Sequence, residues 1–135
     1  MKYLLDTNIC IYLIKRNPPQ VLQRFMAYTV DDIGISAITA AELNFGVQKS
    51  LYREQNHRAL EQFLIPLTVV EFDYPAAAVY GETRAALESQ GTPIGALDLL
   101  IAAQAISRDI TLVSNNTREF ARIPRLVVEN WAEPA

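Results

Sequence analysis

The sequence predicts an α/β fold, a mainly parallel central sheet flanked by helices on both faces in a Rossmann-like three-layer stack. Two observations carry the prediction. Short apolar runs at 3–5, 33–35, 67–72, 111–114 and 126–128 alternate with segments of helical periodicity along the whole chain. No repeat, low-complexity tract or linker interrupts that alternation, so residues 1–135 are expected to form a single domain.

Each element has a local reason. Tyr3, Leu4 and Leu5 are stopped by Asp6-Thr7-Asn8, and Ile9, Tyr12 and Leu13 follow at helical spacing. That pattern is a buried strand running into a helix, with Thr7 or Asn8 expected as its cap. Pro18 and Pro19 end this first helix, because the residue before a proline is pushed out of the α region. Val21, Leu22, Phe25 and Met26 give a second helix one apolar face. After the polar break at Asp31-Asp32, the strand at 33–35 leads into a third helix capped by Ser36 and running toward Lys49. Ile38, Phe45 and Gly46 are expected to form its apolar stripe, with Glu42 in the middle.

A fourth helix at 53–65 carries Leu60, Phe63 and Leu64 and stops at Pro66. Pro75 suits the first turn of the alanine-rich helix that follows, and Gly91 terminates it. The loop 92–95 introduces the most apolar helix of the chain. Leu97, Leu99, Leu100, Ile101, Ala102, Ala103, Ala105 and Ile106 surround its axis almost completely, which predicts a buried helix. Asp98 lies in its first turn, where an anion gains from the helix dipole. A short turn at 118–120 and the segment Asn130-Trp131 close the fold around the last strand.

Composition narrows the function classes. Half the residues are hydrophobic and a fifth are charged, and no apolar run approaches the roughly 20 residues of a membrane helix. The single cysteine, Cys10, can form no internal disulfide, which suits a reducing cytoplasm. One histidine, His57, on a polar helix face, excludes chemistry needing a histidine pair. The net charge of −3 gives no global pull toward nucleic acid, so such a substrate needs a local basic patch and metal ions. The five glycines are scattered, which excludes a phosphate loop.

Four acids share one kind of position. Asp6 and Glu119 follow strands, while Glu42 and Asp98 lie in helices that begin just after strands or loops. Such junctions of a parallel sheet open on one edge, so Asp6, Glu42 and Asp98 should converge, with Glu119 or Asn116 nearby. Capping alone is the competing reading for Asp6 and Asp98. Crowded carboxylates repel unless a cation joins them, and oxygen-only ligands point to Mg²⁺ or Mn²⁺ rather than zinc. Those ions polarise phosphoryl oxygens and activate water, which suits phosphodiester hydrolysis. Asn8, where an aspartyl-nucleophile phosphatase wants a second acid, argues against that chemistry, and few aromatics surround the acids to hold a sugar.

The stretch Leu4-Leu5-Asp6-Thr7-Asn8 resembles the opening of the PIN-domain ribonucleases. Residues 36–43 with Gly46 resemble their second motif, Asp98 within 97–102 their third, and residues 112–120 their fourth. The resemblance spans nearly the whole chain and is nearest to the VapC toxins of bacterial type II toxin–antitoxin pairs. It implies a PIN-like fold and Mg²⁺-dependent endonucleolytic cleavage of RNA, with tRNA cut in its anticodon loop. Asp6 and Asp98 match the principal metal ligands and Glu42 the third acid. Where many PIN domains carry aspartate this chain has Asn116, so the fourth acidic role passes to Glu119, and Asn116 is left to order a water or a phosphate.

The resemblance further implies a homodimer, a VapB-type antitoxin that wraps the toxin with an apolar helix, and operator DNA reached only through that antitoxin. Arg118, Arg122 and Arg125 after the fourth motif, and Lys15-Arg16 after the first helix, are candidates for holding substrate phosphates. Solvated surface arginines are the competing reading. A non-catalytic PIN-like binding module and a metal-dependent DNA nuclease are the alternative functions.

Overall fold

The computed structural model describes residues 1–133. Five strands, β1 (Tyr3–Leu5), β2 (Ile33–Ser36), β3 (Thr68–Val70), β4 (Thr111–Val113) and β5 (Val128–Glu129), stand in the order β3-β2-β1-β4-β5. Every adjoining pair is parallel. Parallel strands cannot be joined by hairpins, and helices supply the crossovers. These are α1 (Thr7–Lys15), α2 (Pro19–Met26), α3 (Ala37–Gln48), α4 (Arg53–Leu64), α5 (Tyr74–Ser89), α6 (Ala96–Arg108) and the single turn α7 (Thr117–Phe120).

Side chains alternate across the sheet and divide the core in two. Leu5, Ile33, Ile35 and Val113 face one layer, where Ile9, Leu13, Val21, Leu43, Val47 and Leu60 cover them from α1 to α4. Leu4 and Leu112 face the other, against Leu87 of α5, Ile101 and Ala105 of α6, and Phe120. Burying each such side chain stabilises by about 1.5–3 kcal/mol, against at most ~0.7 kcal/mol per residue from helix propensity. Packing on the sheet therefore decides where the helices lie. Gly34 lets the Met1 side chain lie across β2, since a Cβ there would come within 2.6 Å of the methionine sulfur and displace it.

Several expectations change. The cap of α1 is Asp6, whose carboxylate accepts from the Thr7 N–H, rather than Thr7 or Asn8. Its other end is closed by Arg16 in a left-handed conformation (φ 56°), ahead of the prolines. The edge strands shrink: the run at 67–72 pairs only over Thr68–Val70, and the last strand starts at Val128, because each has a neighbour on one side alone. Leu97 is 48% exposed, so α6 is not covered all round; in its first turn Leu97 borders an open hollow with Ile38 and Phe45 of α3. The stripe expected on α3 also fails. Thr39, Leu43 and Val47 make its buried face, and Phe45 is 64% exposed, because alanines on both sides leave the periodicity ambiguous and the sheet selects the face.

Gln104 on α6 is fully buried, and its amide nitrogen donates to the carbonyls of Val70 and Glu71 at 3.1 and 3.0 Å. The amide thereby satisfies the frayed end of β3, which lacks an outer neighbour.

Candidate active site

In the strand order, β1 is flanked by β2 and β4, so the chain leaves it in opposite directions, and a crevice opens at its carboxyl end. Asp6 stands there, 4% exposed. One of its oxygens accepts from the Thr7 N–H at 2.7 Å and the other from the Ser114 hydroxyl at 2.7 Å. Ser114 Oγ accepts in turn from the Asn116 N–H at 2.9 Å. Burial pushes the Asp6 carboxyl above the ordinary aspartate range, the Ser114 and Thr7 hydrogen bonds pull it back, and the charges of Glu42 and Glu119 add to the rise.

Glu42, in the second turn of α3, accepts a hydrogen bond from the Thr7 hydroxyl at 2.7 Å. Asp98 lies in the first turn of α6, and its carboxyl is pushed up to about 7. Partial burial is the main cause, followed by the charges of Asp6, Glu119 and Glu42. Glu119 accepts from the Gly95 N–H at 2.8 Å with one oxygen and from the Asn116 amide at 2.7 Å with the other. The Gly95 N–H, with Asn116, holds the Glu119 carboxyl below its usual range. A Cβ built on Gly95 would lie 3.7 Å from a Glu119 oxygen and 3.8 Å from an Asp98 oxygen, so both acids border that residue. The structure thus gathers Asp6, Glu42, Asp98 and Glu119 at one notch, with Asn116 turned onto Glu119.

Asp6 therefore caps a helix and belongs to the acidic notch at once. Sequence reasoning missed Thr7 and Ser114 as the groups that aim two of the acids. The register carries the missing signal: Leu5 pairs with Val113, so the next residues on each strand, Asp6 and Ser114, adjoin. Beside them Asn115 donates to the Tyr12 hydroxyl at 2.6 Å, and Asn8 donates to Asn115 at 3.3 Å.

The cationic candidates separate. Arg118 and Arg122 line an open recess of about 550 Å³ together with Gly95, Asn116 and Glu119, and Arg122 donates to the Pro93 carbonyl at 2.8 Å. Arg125 belongs elsewhere: it pairs with Glu82 at 3.2 Å and borders Asp109 and Thr111, at the start of β4 and the opposite edge of the sheet. Lys15 lines an apolar groove of about 300 Å³ that ends at Glu42.

Among the described residues no three acidic, histidine or cysteine side chains close around one metal position by themselves. The donor set nonetheless fits a hard divalent ion. Mg²⁺ usually takes one or two carboxylates and completes its shell with waters and substrate phosphates. Burial raises both Asp6 and Asp98, and the neighbouring carboxylates add to each rise, a repulsion that a bound cation would relieve.

A parallel sheet carrying an acidic notch at its carboxyl edge, with arginines beside it, is an arrangement suited to handling phosphodiesters. The chain belongs to the PIN-domain family, whose model matches residues 3–126. It is 46% identical over 132 residues to "Ribonuclease VapC2" of Rickettsia felis, covering 97% of this chain and 98% of that protein. It is 44% identical over 131 residues to the "tRNA(fMet)-specific endonuclease VapC" of Salmonella typhimurium, with coverage of 97% and 98%. The structure of DNA-bound VapBC from Salmonella typhimurium superposes with a TM-score of 0.92 at 43% identity, over 97% of this chain and 98% of that one. Among the described residues no helix is long and apolar enough to cross a membrane.

Proposed function

We propose that this chain is the endoribonuclease toxin of a VapBC-type pair, acting in a reducing cytoplasm and hydrolysing tRNA in the anticodon loop with Mg²⁺ or Mn²⁺. The observation that carries the reading is the meeting of four acids from distant parts of the chain, with the Asp98 carboxyl raised to about 7 by burial and by the other three. Asp6 and Asp98 would hold the ion, which when bound polarises the phosphoryl oxygen and lowers the pKa of water. Ser114 and the Thr7 N–H fix the direction of Asp6, and the Thr7 hydroxyl fixes Glu42. A cation bound there would favour the ionised form of Asp98, whose carboxyl burial and the other acids otherwise raise to about 7. Arg118 and Arg122 hold phosphates beside the notch, while Arg125 is too remote to do so.

The relatives named above support the partner assignment, since the superposed structure is itself a VapBC complex. The groove of Ile11, Ile14, Leu43, Val47 and Leu60 suits an apolar antitoxin helix, and its end at Glu42 lets a basic side chain reach the acids. Homodimerisation and operator binding through the antitoxin belong to the same reading. The test is incubation of the purified chain with initiator tRNA transcript and Mg²⁺ or Mn²⁺, with the 5′ ends of fragments mapped. Discrete cleavage that Asp6→Asn, Asp98→Asn or EDTA abolishes is expected. Cleavage that persists in EDTA would overturn the metal assignment, and deoxy substrates cut as fast as RNA would favour a DNA nuclease.

A further inference from the structure

The recess that holds Arg118 and Arg122 does not end at its own wall. Pro93 and Ile94 line it and also line a second, more enclosed hollow of about 180 Å³ between α5 and α6. The floor of that hollow is apolar: Leu87 and Leu99 are 3% and 2% exposed. The Tyr80 ring forms a wall, and Arg84 stands at the mouth, its guanidinium 6.0 Å from the ring centre. Arg84 Nη1 donates to the Tyr80 hydroxyl at 2.8 Å, and its Nε faces Glu88 at 3.4 Å.

We infer that this hollow receives an unpaired base of the RNA close to the cleaved bond, stacked on Tyr80, with a phosphate held by Arg84. The inference rests on the RNA-cleaving reading of the acidic notch. An aromatic face beside a guanidinium is the usual platform for a single-stranded nucleotide, because every base has a π-face and every nucleotide a phosphate. Arg84 lines the hollow, and Arg118 and Arg122 line the recess that shares Pro93 and Ile94 with it and also holds Glu119, on a chain whose net charge is −3. The Arg84–Glu88 pair is more than half exposed on both sides, so it is weak and yields to a phosphate. An apolar side chain of a protein partner could fill the floor but has no use for Arg84 at its side, which favours the nucleotide.

The full-length chain, Mg²⁺ and an initiator tRNA transcript with single abasic positions around the mapped cut provide the test. Wild type is expected to lose roughly 5- to 150-fold in kcat/KM at one flanking abasic position. Tyr80→Leu should show a similar loss on intact RNA and no further loss at that position, whereas Tyr80→Phe, which keeps the stacking face, should respond as wild type. Arg84→Ala should raise KM and flatten the salt dependence. Binding of a fluorescent single-stranded RNA hexamer in the Asp98→Asn background reads the same hollow without cleavage. An unchanged abasic penalty in Tyr80→Leu, or unchanged hexamer affinity in Tyr80→Leu and Arg84→Ala, would overturn the inference. Variants that cut normally but lose the antitoxin would assign the hollow to protein instead. Wild type that binds the hexamer with Tyr80 dependence but cuts nothing would defeat the nuclease reading and leave the nucleotide site standing.

Discussion

Replacing Asp98 by asparagine should stabilise the metal-free protein while removing its activity. The side chain is half-buried, with Asp6, Glu119 and Glu42 around it, and its carboxyl is raised from 3.8 to about 7. A raised acid is neutral in the folded protein where the unfolded chain is already ionised. Folding stability is therefore full below about pH 4, falls as the pH rises, and reaches its lower level above about pH 7. Converted at 1.36 kcal/mol per pH unit, the rise gives an upper bound of about 4 kcal/mol. Solvent screening at a partly exposed site halves that figure, roughly. The lost favourable interaction of an anion with the start of α6 removes about another 0.5 kcal/mol. A net gain of about 1–2 kcal/mol at pH 8 remains, or about 3–6 °C in Tm for a chain of this size. Thermal melts in EDTA at pH 4, 6 and 8 read it directly: the gap between variant and wild type should open across that range. Added Mg²⁺ should stabilise wild type and not the variant. A gap that is absent at pH 8, or equally large at pH 4, would refute the electrostatic account of the notch.

Other consequences are as specific. Ser114→Ala removes the hydroxyl that donates to the buried Asp6 carboxylate and should cost about 1.5–3 kcal/mol by urea unfolding at pH 8. Because that bond stabilises the ionised form, the cost should shrink as acid protonates Asp6, and the Asp6 carboxyl should move further up. Trp131→Ala should cost about 3–5 kcal/mol in the same assay. The ring is 1% exposed, stacks on Tyr28 with centroids 5.7 Å apart, meets Tyr3 edge-on and lies under the Arg24 guanidinium. Gln104→Leu strands the Val70 and Glu71 carbonyls at the end of β3 and should cost about 1–3 kcal/mol, read as faster amide exchange along that edge.

Strand and helix order was legible in the sequence because it depends on local signals: apolar runs, Ser36 at a cap, Pro75 in a first turn, Gly91 past a helix end. Alternation of strands and helices then implied a parallel sheet, and such a sheet implied that Asp6, Glu42 and Asp98 share an edge. What failed locally was the buried face of α3 and the burial of α6 all round. Alanine and leucine on several sides satisfy more than one orientation, and only contact with the sheet decides that Leu43 goes in while Phe45 and Leu97 stay out. Strand lengths at the edges were misjudged for a related reason, since pairing, not hydrophobicity, ends a strand.

By itself the sequence determined the architecture, the candidate acids and the family motifs, all of which rest on residue type and short spacing. The tertiary structure alone decided which polar groups aim the acids, that Arg118 and Arg122 border Glu119 while Arg125 does not, and that Tyr80 and Arg84 line a hollow adjoining that recess. Those facts join residues far apart in the chain, such as Asp6 with Ser114 and Gly95 with Glu119. Strand register and crossover packing set such distances, and no local pattern encodes either.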